Sequence, residues 1–236
     1  MDWAGGVSIV PQPTGRLIHT PAEEYFTVRG SGDLVPDSFA AFADDGLVAT
    51  SLSSGTVGLL GDGLVADELG RILRAADLAV KVVDEPSRDL AVLVATSRWL
   101  PDTAWTVLDE RCRGIALPWH RCYAEGRRWY LGPFTTGSDA PGYLDTRLRR
   151  IAASPWPDEL LAYWRWLDGG GTPSSDCLSE LAATTAAALL AADLIIWFGG
   201  KRPPGRGFQC GYDPLTGELR RHPVLPIPSG LMRDQP

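Results

Sequence analysis

The clearest chemical signal in the sequence is a glycine-rich turn, Gly61-x-Gly63-x-x-Ala66, which follows an apolar run and precedes a helical segment. A second apolar run ends on Asp84, about 20 positions farther along the chain. Small residues in such a turn let the backbone approach a ligand closely, and the N-terminus of the following helix attracts a phosphate. The pattern predicts a dinucleotide-type turn formed by Gly61, Gly63 and Ala66, with Asp84 positioned to meet a ribose hydroxyl.

The segment after Asp84 does not fit a working nucleotide enzyme. Only Glu85-Pro86-Ser87-Arg88 separates Asp84 from the next buried run, residues 89–96. A parallel crossover that carries a helix needs a dozen or more residues. Either these two strands are not a βαβ pair, or their crossover is a bare loop. Arg88 is a candidate phosphate contact, but the loss of a full crossover argues against catalysis.

Length and composition indicate a folded protein that does not bind nucleic acid. The 236 residues suit one domain with a small appendage, or two small domains. A hydrophobic content of 44% with nine Trp is ample for a core. The net charge is −7 and the sequence has no block of basic residues, which is unfavourable for a nucleic-acid partner.

The cysteines predict neither a zinc site nor a disulfide framework. They are widely spaced without a C-x-x-C pair, which a closed zinc site normally contains, and the N-terminus lacks a signal-peptide pattern. Hydrolase and metalloprotease motifs are absent from the sequence as well. We therefore expect buried, reduced thiols in a cytoplasmic protein: Cys112, Cys122, Cys177 and Cys210.

The most apolar segment, from Leu181 to Phe198, raises the question of a membrane span. It is rich in Ala and contains Asp193. Cap-forming residues lie on both sides of it, Ser174-Ser175-Asp176 before and Gly199-Gly200 after. These features predict the buried helix of a soluble protein rather than a membrane-spanning helix.

Two units are expected, a small β-rich unit over residues 1–54 and a larger unit over residues 55–236. The small unit has β-prone segments between Pro, Gly and Thr turn residues, and one or two helical turns near residues 37–45. Its β-prone segments are 7–10, 16–18 and 25–28. The larger unit should contain a strand at 56–60, a helix at 64–76, a strand at 79–84, a helix from Asp102, a hairpin turning at 124–126 and a final hairpin turning at 213–217.

Aromatic residues between 156 and 166 follow a helical period. Trp156, Leu160, Tyr163 and Trp164 share one face of the expected helix. Such a stripe faces the core in most helices, but aromatic side chains near Arg are also enriched at protein interfaces. Both interpretations of this stripe stay open from the sequence.

Several motifs together resemble one protein family. Two of these motifs are the glycine-rich turn and the Ala-rich helix. A third is the segment Leu131-Gly132-Pro133-Phe134, which precedes a Pro141-Gly142 loop. The last is the C-terminal segment Tyr212-Asp213-Pro214-x-Thr216-Gly217-Glu218, followed by Arg221-His222-Pro223-Val224-Leu225-Pro226. In this order they resemble the ThiF-like, ubiquitin-activating-enzyme-like proteins of azole and azoline peptide biosynthesis. These proteins are partners of YcaO cyclodehydratases in bacteriocin and thiopeptide gene clusters.

The resemblance implies a fold and a function. The fold would be α/β, a degenerate Rossmann-like ThiF-type domain with a short N-terminal β-rich unit and a C-terminal hairpin. The function would be that of a non-catalytic scaffold, which binds the leader of a ribosomal precursor peptide and serves a YcaO-type cyclodehydratase. Relatives commonly pair through their ThiF-like domains, so a homodimer or a hetero-complex is expected. No bound cofactor is expected.

In this family an N-terminal unit generally binds the leader peptide. Residues 1–54 occupy that place but are shorter than the usual unit. If they bind a leader, strand addition to a sheet edge is the expected mode, with Tyr25, Phe26 and Val28 as contacts. A purely structural N-terminal cap is the alternative.

The sequence also departs from the family. Many relatives hold zinc with two C-x-x-C pairs, but here the first pair falls at Gly142 and Asp145 and the second near residues 229–232, so no metal is expected. The residues that adenylating relatives carry after the second strand are replaced by the short segment 84–88. The alternative functions are an ATP-dependent adenylating enzyme acting on a peptide, and an NAD-dependent oxidoreductase. The short connection and the lack of a Tyr-Lys or His-Asp motif count against the latter.

Overall fold

The computed structural model describes residues 2–30, 34, 51–174 and 180–227. The chain divides into two compact units, Met1–Leu52 and Ser53–Pro236. The helical turns expected near residues 37–45 lie outside the described residues.

The first unit contains a three-stranded antiparallel sheet in the order β1-β2-β3. The strands are β1 (Ser8–Gln12), β2 (Gly15–His19) and β3 (Tyr25–Arg29), which confirms the three predicted segments. Ile18 of the central strand is fully buried, and Trp3, Val7, Val28 and Leu34 pack against it. This small core holds the sheet together, because a few strands need one buried face to be stable in water.

The second unit is built on a seven-stranded mixed sheet in the order β10-β9-β8-β7-β6-β4-β5. Strands β4 to β7 pair in parallel, whereas β8, β9 and β10 are antiparallel. The strands are β4 (Thr56–Leu60), β5 (Ala79–Val82), β6 (Val92–Trp99), β7 (Trp119–Glu125), β8 (Arg128–Leu131), β9 (Phe208–Asp213) and β10 (Glu218–Pro223). Both predicted hairpins are confirmed.

The helices α1 (Leu64–Ala75), α2 (Asp102–Gly114), α3 (Tyr143–Ala153), α4 (Pro157–Asp168) and α5 (Glu180–Phe198) form two groups. Helices α1 and α5 pack against each other, and α2, α3 and α4 pack against one another. Successive side chains of β7 point to opposite faces of the sheet, and each face carries one group of helices. Trp119 and Tyr123 join the core cluster of α2, α3 and α4, whereas His120 contacts α5.

The connection between β5 and β6 is a bare loop, residues 83–91. Strand β4 lies between β5 and β6 and is parallel to both. The loop must therefore cross β4 and run back along its length to reach the start of β6. Crossing two strand spacings takes about 10 Å, and returning along the five residues of β4 takes roughly 17 Å more, whereas nine extended residues cover roughly 30 Å. Nine residues therefore suffice without a helix. Of the two alternatives left open by the sequence, the second is correct.

Helix α3 was not predicted. Its first residue follows Gly142, and Asp145 Oδ2 accepts a hydrogen bond of 2.7 Å from the Gly142 amide. An acid at this position is a helix-start signal, but the Arg-rich composition of residues 147–150 obscures the helical period in the sequence.

Helix α5 has the length and mean hydropathy, 1.9, of a membrane span, and half of that segment is buried. Asp193 within it accepts hydrogen bonds from His120 Nε2 at 2.9 Å and from the Gly205 amide at 2.8 Å. The ring Nδ1 of His120 accepts from the Arg121 amide, so the proton is on Nε2. α5 is therefore a core helix, as Asp193 within it predicted; Ser175 and Asp176 of the expected N-terminal cap lie outside the described residues.

Two of the cysteines confirm the expectation of buried thiols. Cys112 and Cys122 are buried, and burial raises the pKa of both thiols, that of Cys112 to about 12. Cys210 is partly buried, and Cys177 lies outside the described residues. High thiol pKa values make these groups unreactive at neutral pH.

Asp193→Ala should lower the free energy of unfolding by about 3 kcal/mol, because it leaves the His120 Nε2–H and the Gly205 amide buried without an acceptor. Urea denaturation followed by tryptophan fluorescence measures this change. Glu110→Ala, at an exposed position on α2, is the control and should cost little. An equal effect of the two substitutions would show that the buried pair does not hold α5 in place.

Candidate functional site

The candidate site is a cleft where β4 and β6 end. The chain leaves β4 toward β5 on one side and leaves β6 toward β7 on the other, so their carboxyl ends form the switch point at which ligands bind in open α/β sheets. The cleft has a volume of about 540 Å³. Its lining residues are Asp62, Gly63, Leu64, Val65, Thr96, Ser97, Arg98, Trp129 and Ala183.

The glycine-rich turn has the conformation that its sequence predicts. Gly61 has φ +110°, and a Cβ there would lie 2.1 Å from the Thr96 carbonyl oxygen, so the position requires glycine. Gly63 has φ +87°, and a Cβ on it would meet open space. Gly63 precedes α1, whose N-terminus has no side-chain cap. Ala66 is buried in the first turn of α1 and does not line the cleft.

Two of the residues that line the cleft carry a buried donor that has no partner among the described residues. Thr96 is 7% exposed and Trp129 is 4% exposed, and neither Thr96 Oγ1 nor Trp129 Nε1 has a hydrogen-bond partner. Unpaired buried donors are rare in native proteins, because each one loses its hydrogen bonds to water. Arg98, at the exposed end of β6, adds a guanidinium with no ion pair among the described residues. Among the residues that line it, the cleft thus has one cation, Arg98, and one carboxylate, that of Asp62.

The sequence did not predict Thr96, Arg98 or Trp129 as site residues. The sequence did contain a signal for Thr96 and Arg98. Both residues lie where the buried run after segment 84–88 ends, and the carboxyl ends of parallel strands meet at one edge of a sheet. Trp129 belongs to the antiparallel strand β8, and nothing in its sequence neighbourhood relates it to the turn.

The structure does not bring the other two predicted cofactor contacts into the cleft. Asp84 and Arg88 are exposed on the loop between β5 and β6, and neither lines the cleft. Their roles toward a ribose and a phosphate stay predictions.

The predicted peptide contacts lie on strand β3. Tyr25 is 65% exposed and Phe26 is 45% exposed, whereas Val28 packs on Ile18. β3 pairs with β2 on one side, and among the described residues no strand pairs with its other side. This leaves an edge with free backbone groups and two aromatic side chains, which is the geometry that strand addition needs.

A hydrogen-bonded network occupies the position of the first family C-x-x-C pair. Asp145 Oδ1 accepts from the Ile227 amide at 2.7 Å, and Arg113 Nη2 lies 3.5 Å from Asp145 Oδ2. Beside it, the fully buried Arg121 donates to Thr146 Oγ1, and burial lowers its pKa to about 10. Within the described residues, no group of three or more His, Cys, Asp or Glu could hold a metal. The second position, residues 229–232, lies outside them.

The aromatic stripe divides between the core and the surface. Trp164 is 1% exposed, and its Nε1 donates to Glu125 Oε2 at 2.9 Å; Leu160 and Tyr163 pack on the same core. Trp156, in contrast, is 67% exposed. The core interpretation is correct for Trp164 and its neighbours, and Trp156 is left on the surface.

The fold resembles those of solved proteins, although no protein-family model and no curated protein matches the sequence. The heterocyclase TruD superposes with a TM-score of 0.70 at 12% identity over 96% of this chain. MccB from E. coli superposes with a TM-score of 0.63 at 11% identity over 97% of this chain and 95% of MccB. The fold is ThiF-like. The predicted fold class is confirmed.

A second heterocyclase structure, solved in complex with substrate and cofactor, superposes with a TM-score of 0.68 at 13% identity over 95% of this chain. This chain spans 42% of the TruD chain and 38% of that second heterocyclase. It therefore corresponds to less than half of a heterocyclase and to nearly all of MccB.

Asp145→Ala should speed hydrogen exchange at the Ile227 amide about tenfold or more, because a hydrogen bond to a buried carboxylate contributes more than a neutral one. Exchange followed by mass spectrometry or NMR measures it. Asp158→Ala, at an exposed position in α4, should leave the Ile227 amide unchanged. Unchanged protection in Asp145→Ala would show that another contact holds the C-terminal segment on α3.

Proposed function

We propose that this chain is a non-catalytic scaffold in the biosynthesis of thiazole- or oxazole-modified ribosomal peptides, acting in the cytoplasm. It would bind the leader of a precursor peptide and dock a YcaO-type cyclodehydratase. The observation that carries this proposal is the ThiF-like fold over almost the whole chain, shared with MccB and with part of the heterocyclases. Because the similarity covers 95% or more of the chain, it includes most of the N-terminal unit.

The partial match to the heterocyclases bears on the proposed partner. TruD is a heterocyclase, and this chain corresponds to 42% of it. For the part of TruD that this chain does not match, a YcaO-type cyclodehydratase is the proposed counterpart. The exposed Trp156 of α4 supplies an aromatic contact of the kind found at protein interfaces. Pairing of two copies through the ThiF-like domain is a further proposal.

The N-terminal unit supports recognition of a peptide. MccB has been solved in complex with N-formylated MccA. In this chain the free edge of β3 offers backbone donors and acceptors to an added strand, and Tyr25 and Phe26 offer aromatic surface on opposite faces of it. Backbone pairing would supply much of the affinity, and the two aromatic side chains would set the preference for apolar leader residues.

A fluorescein-labelled leader, taken from a precursor encoded beside the gene for this chain, should bind with micromolar or tighter affinity in an anisotropy titration. The double substitution Tyr25→Ala with Phe26→Ala should weaken binding by about tenfold or more, because aromatic anchors dominate such interfaces. Val10→Ala, on the opposite edge strand β1, is the matched control. Circular dichroism checks that the variants fold. A leader that does not bind, or that is lost with Val10→Ala instead, would refute recognition by β3.

A second candidate function, ATP-dependent adenylation of a peptide, is favoured by the cleft at the switch point. MccB has been solved with ATP. The phosphates of a nucleotide fit the residues present here, because Gly63 leaves open space before the uncapped N-terminus of α1. The predicted ribose contact Asp84, however, does not line the cleft.

Exchange of labelled pyrophosphate into ATP, measured with magnesium and the precursor peptide, separates the two functions. A scaffold gives no exchange above the background without enzyme, whereas an adenylating enzyme gives exchange that depends on the peptide. NADH fluorescence in the same preparation tests the oxidoreductase alternative, for which we expect no change on adding the protein. Peptide-dependent exchange would replace the scaffold proposal with adenylation.

A further inference from the structure

We propose that the guanidinium of Arg113 takes the place that zinc has in many of the proteins that this chain resembles. It joins helix α2 to the start of α3 through two buried carboxylates, those of Asp109 and Asp145, and Asp145 in turn holds the C-terminal segment, residues 224–227. The fold therefore needs no metal at this place. None of these residues lines the cleft or belongs to β3, so the inference does not rest on the proposed function.

The space beside Gly142 holds the side chain of Arg113. Gly142 lies at the position of the first cysteine of the family pair, and a Cβ there would be 2.1 Å from Arg113 Nη2 and 2.5 Å from Asp109 Oδ2. The optimal separation of non-bonded carbon atoms is about 3.5–4.0 Å. A cysteine at position 142, which a closed zinc site would use as a ligand, and this guanidinium therefore exclude each other.

The guanidinium of Arg113 contacts two carboxylates that are almost entirely buried. The side chains of Asp109 and Asp145 are each 4% exposed, and that of Arg113 is 37% exposed. Arg113 Nε donates to Asp109 Oδ2 at 3.2 Å, and Arg113 Nη2 lies 3.5 Å from Asp145 Oδ2. A guanidinium has five N–H donors in a fixed fork, so it can contact two carboxylates at once. One cation thus connects α2 with α3.

Each of the two carboxylates also accepts hydrogen bonds from other segments. Asp109 Oδ1 accepts from Trp119 Nε1 of β7 at 2.9 Å. Asp145 Oδ1 accepts from the Ile227 amide, and Asp145 Oδ2 accepts from the Gly142 amide, both at 2.7 Å. Helix α2, strand β7, the start of α3 and the C-terminal segment therefore meet at one charge cluster. A closed zinc site with two ligand pairs connects separate segments in the same way.

A second arginine balances the charge of this cluster. Arg121 is fully buried on β7 and donates to Thr146 Oγ1 at 3.1 Å. Burial lowers the pKa of Arg121 to about 10, while the nearby Asp109 and Asp145 act in the opposite direction, so the group stays charged at neutral pH. Together with Arg113, two cations face two anions, and no net charge is buried. A cluster without excess negative charge offers little attraction to a divalent cation.

The metal dependence of thermal unfolding distinguishes a guanidinium from zinc. The full chain should unfold at the same temperature in EDTA and in zinc chloride, because a metal that binds the folded state raises the unfolding midpoint and a chelator removes that effect. Tryptophan fluorescence follows the transition. A midpoint that falls in EDTA overturns the proposal.

Arg113→Met should speed hydrogen exchange at the Ile227 amide about tenfold or more, because it leaves the two buried carboxylates without the cation that bridges them. Arg111→Met is the matched control on the same helix. Its partner Glu85 is 68% exposed, and such a surface pair contributes little, so exchange should stay at the wild-type rate. Arg113→Lys keeps the charge without the fork and should give an intermediate rate, which also serves if Arg113→Met does not fold.

Combining Arg113→Met with Asp145→Asn tests whether the two side chains act through one contact. Each single substitution should speed exchange at the Ile227 amide. The double variant should exchange more slowly than the product of the two single effects predicts, because both changes remove the same interaction. The proposal is overturned if the two effects multiply, or if Arg113→Met and Arg111→Met exchange alike.

Discussion

The close approach of Gly61 to the Thr96 carbonyl is the constraint on which the cleft depends. The carbonyl oxygen would lie 2.1 Å from a Cβ at position 61, so no other residue allows β4 and β6 to end side by side in this way. That approach places the start of α1 next to residues 96–98. It also brings an unpaired hydroxyl, a guanidinium and a helix N-terminus to one place, although they come from segments more than 30 residues apart.

Buried hydrogen bonds orient different elements on the two sides of the sheet. Helix α5 is apolar around most of its circumference, so hydrophobic burial alone does not define which side faces β7. The hydrogen bonds that Asp193 accepts from His120 and Gly205 fix which side of α5 faces β7. On the other side, Asp145 joins the start of α3 to the amide of Ile227. Hydrogen bonds thus fix orientations for which apolar packing has several solutions of similar energy.

A feature of the fold was predictable from the sequence when the residues that signal it lie close together along the chain. Strand β4, helix α1 and both hairpins were predicted because turn residues and apolar periodicity lie within a few positions of one another. Helix α3 was missed although Asp145 marked its start, because the charge of its Arg residues obscured the period. Trp129 reaches the cleft through the pairing of β7 with β8, a tertiary contact that no local pattern encodes.

The buried donors beside the glycine-rich turn have an energetic cost. Leaving a buried donor unpaired costs about 1–3 kcal/mol, and Thr96 Oγ1 and Trp129 Nε1 are both buried without a partner among the described residues. Apolar side chains of the same shape at these two positions would therefore make the folded chain more stable. Native proteins rarely leave such donors unpaired, so packing elsewhere in the sheet has to offset the cost.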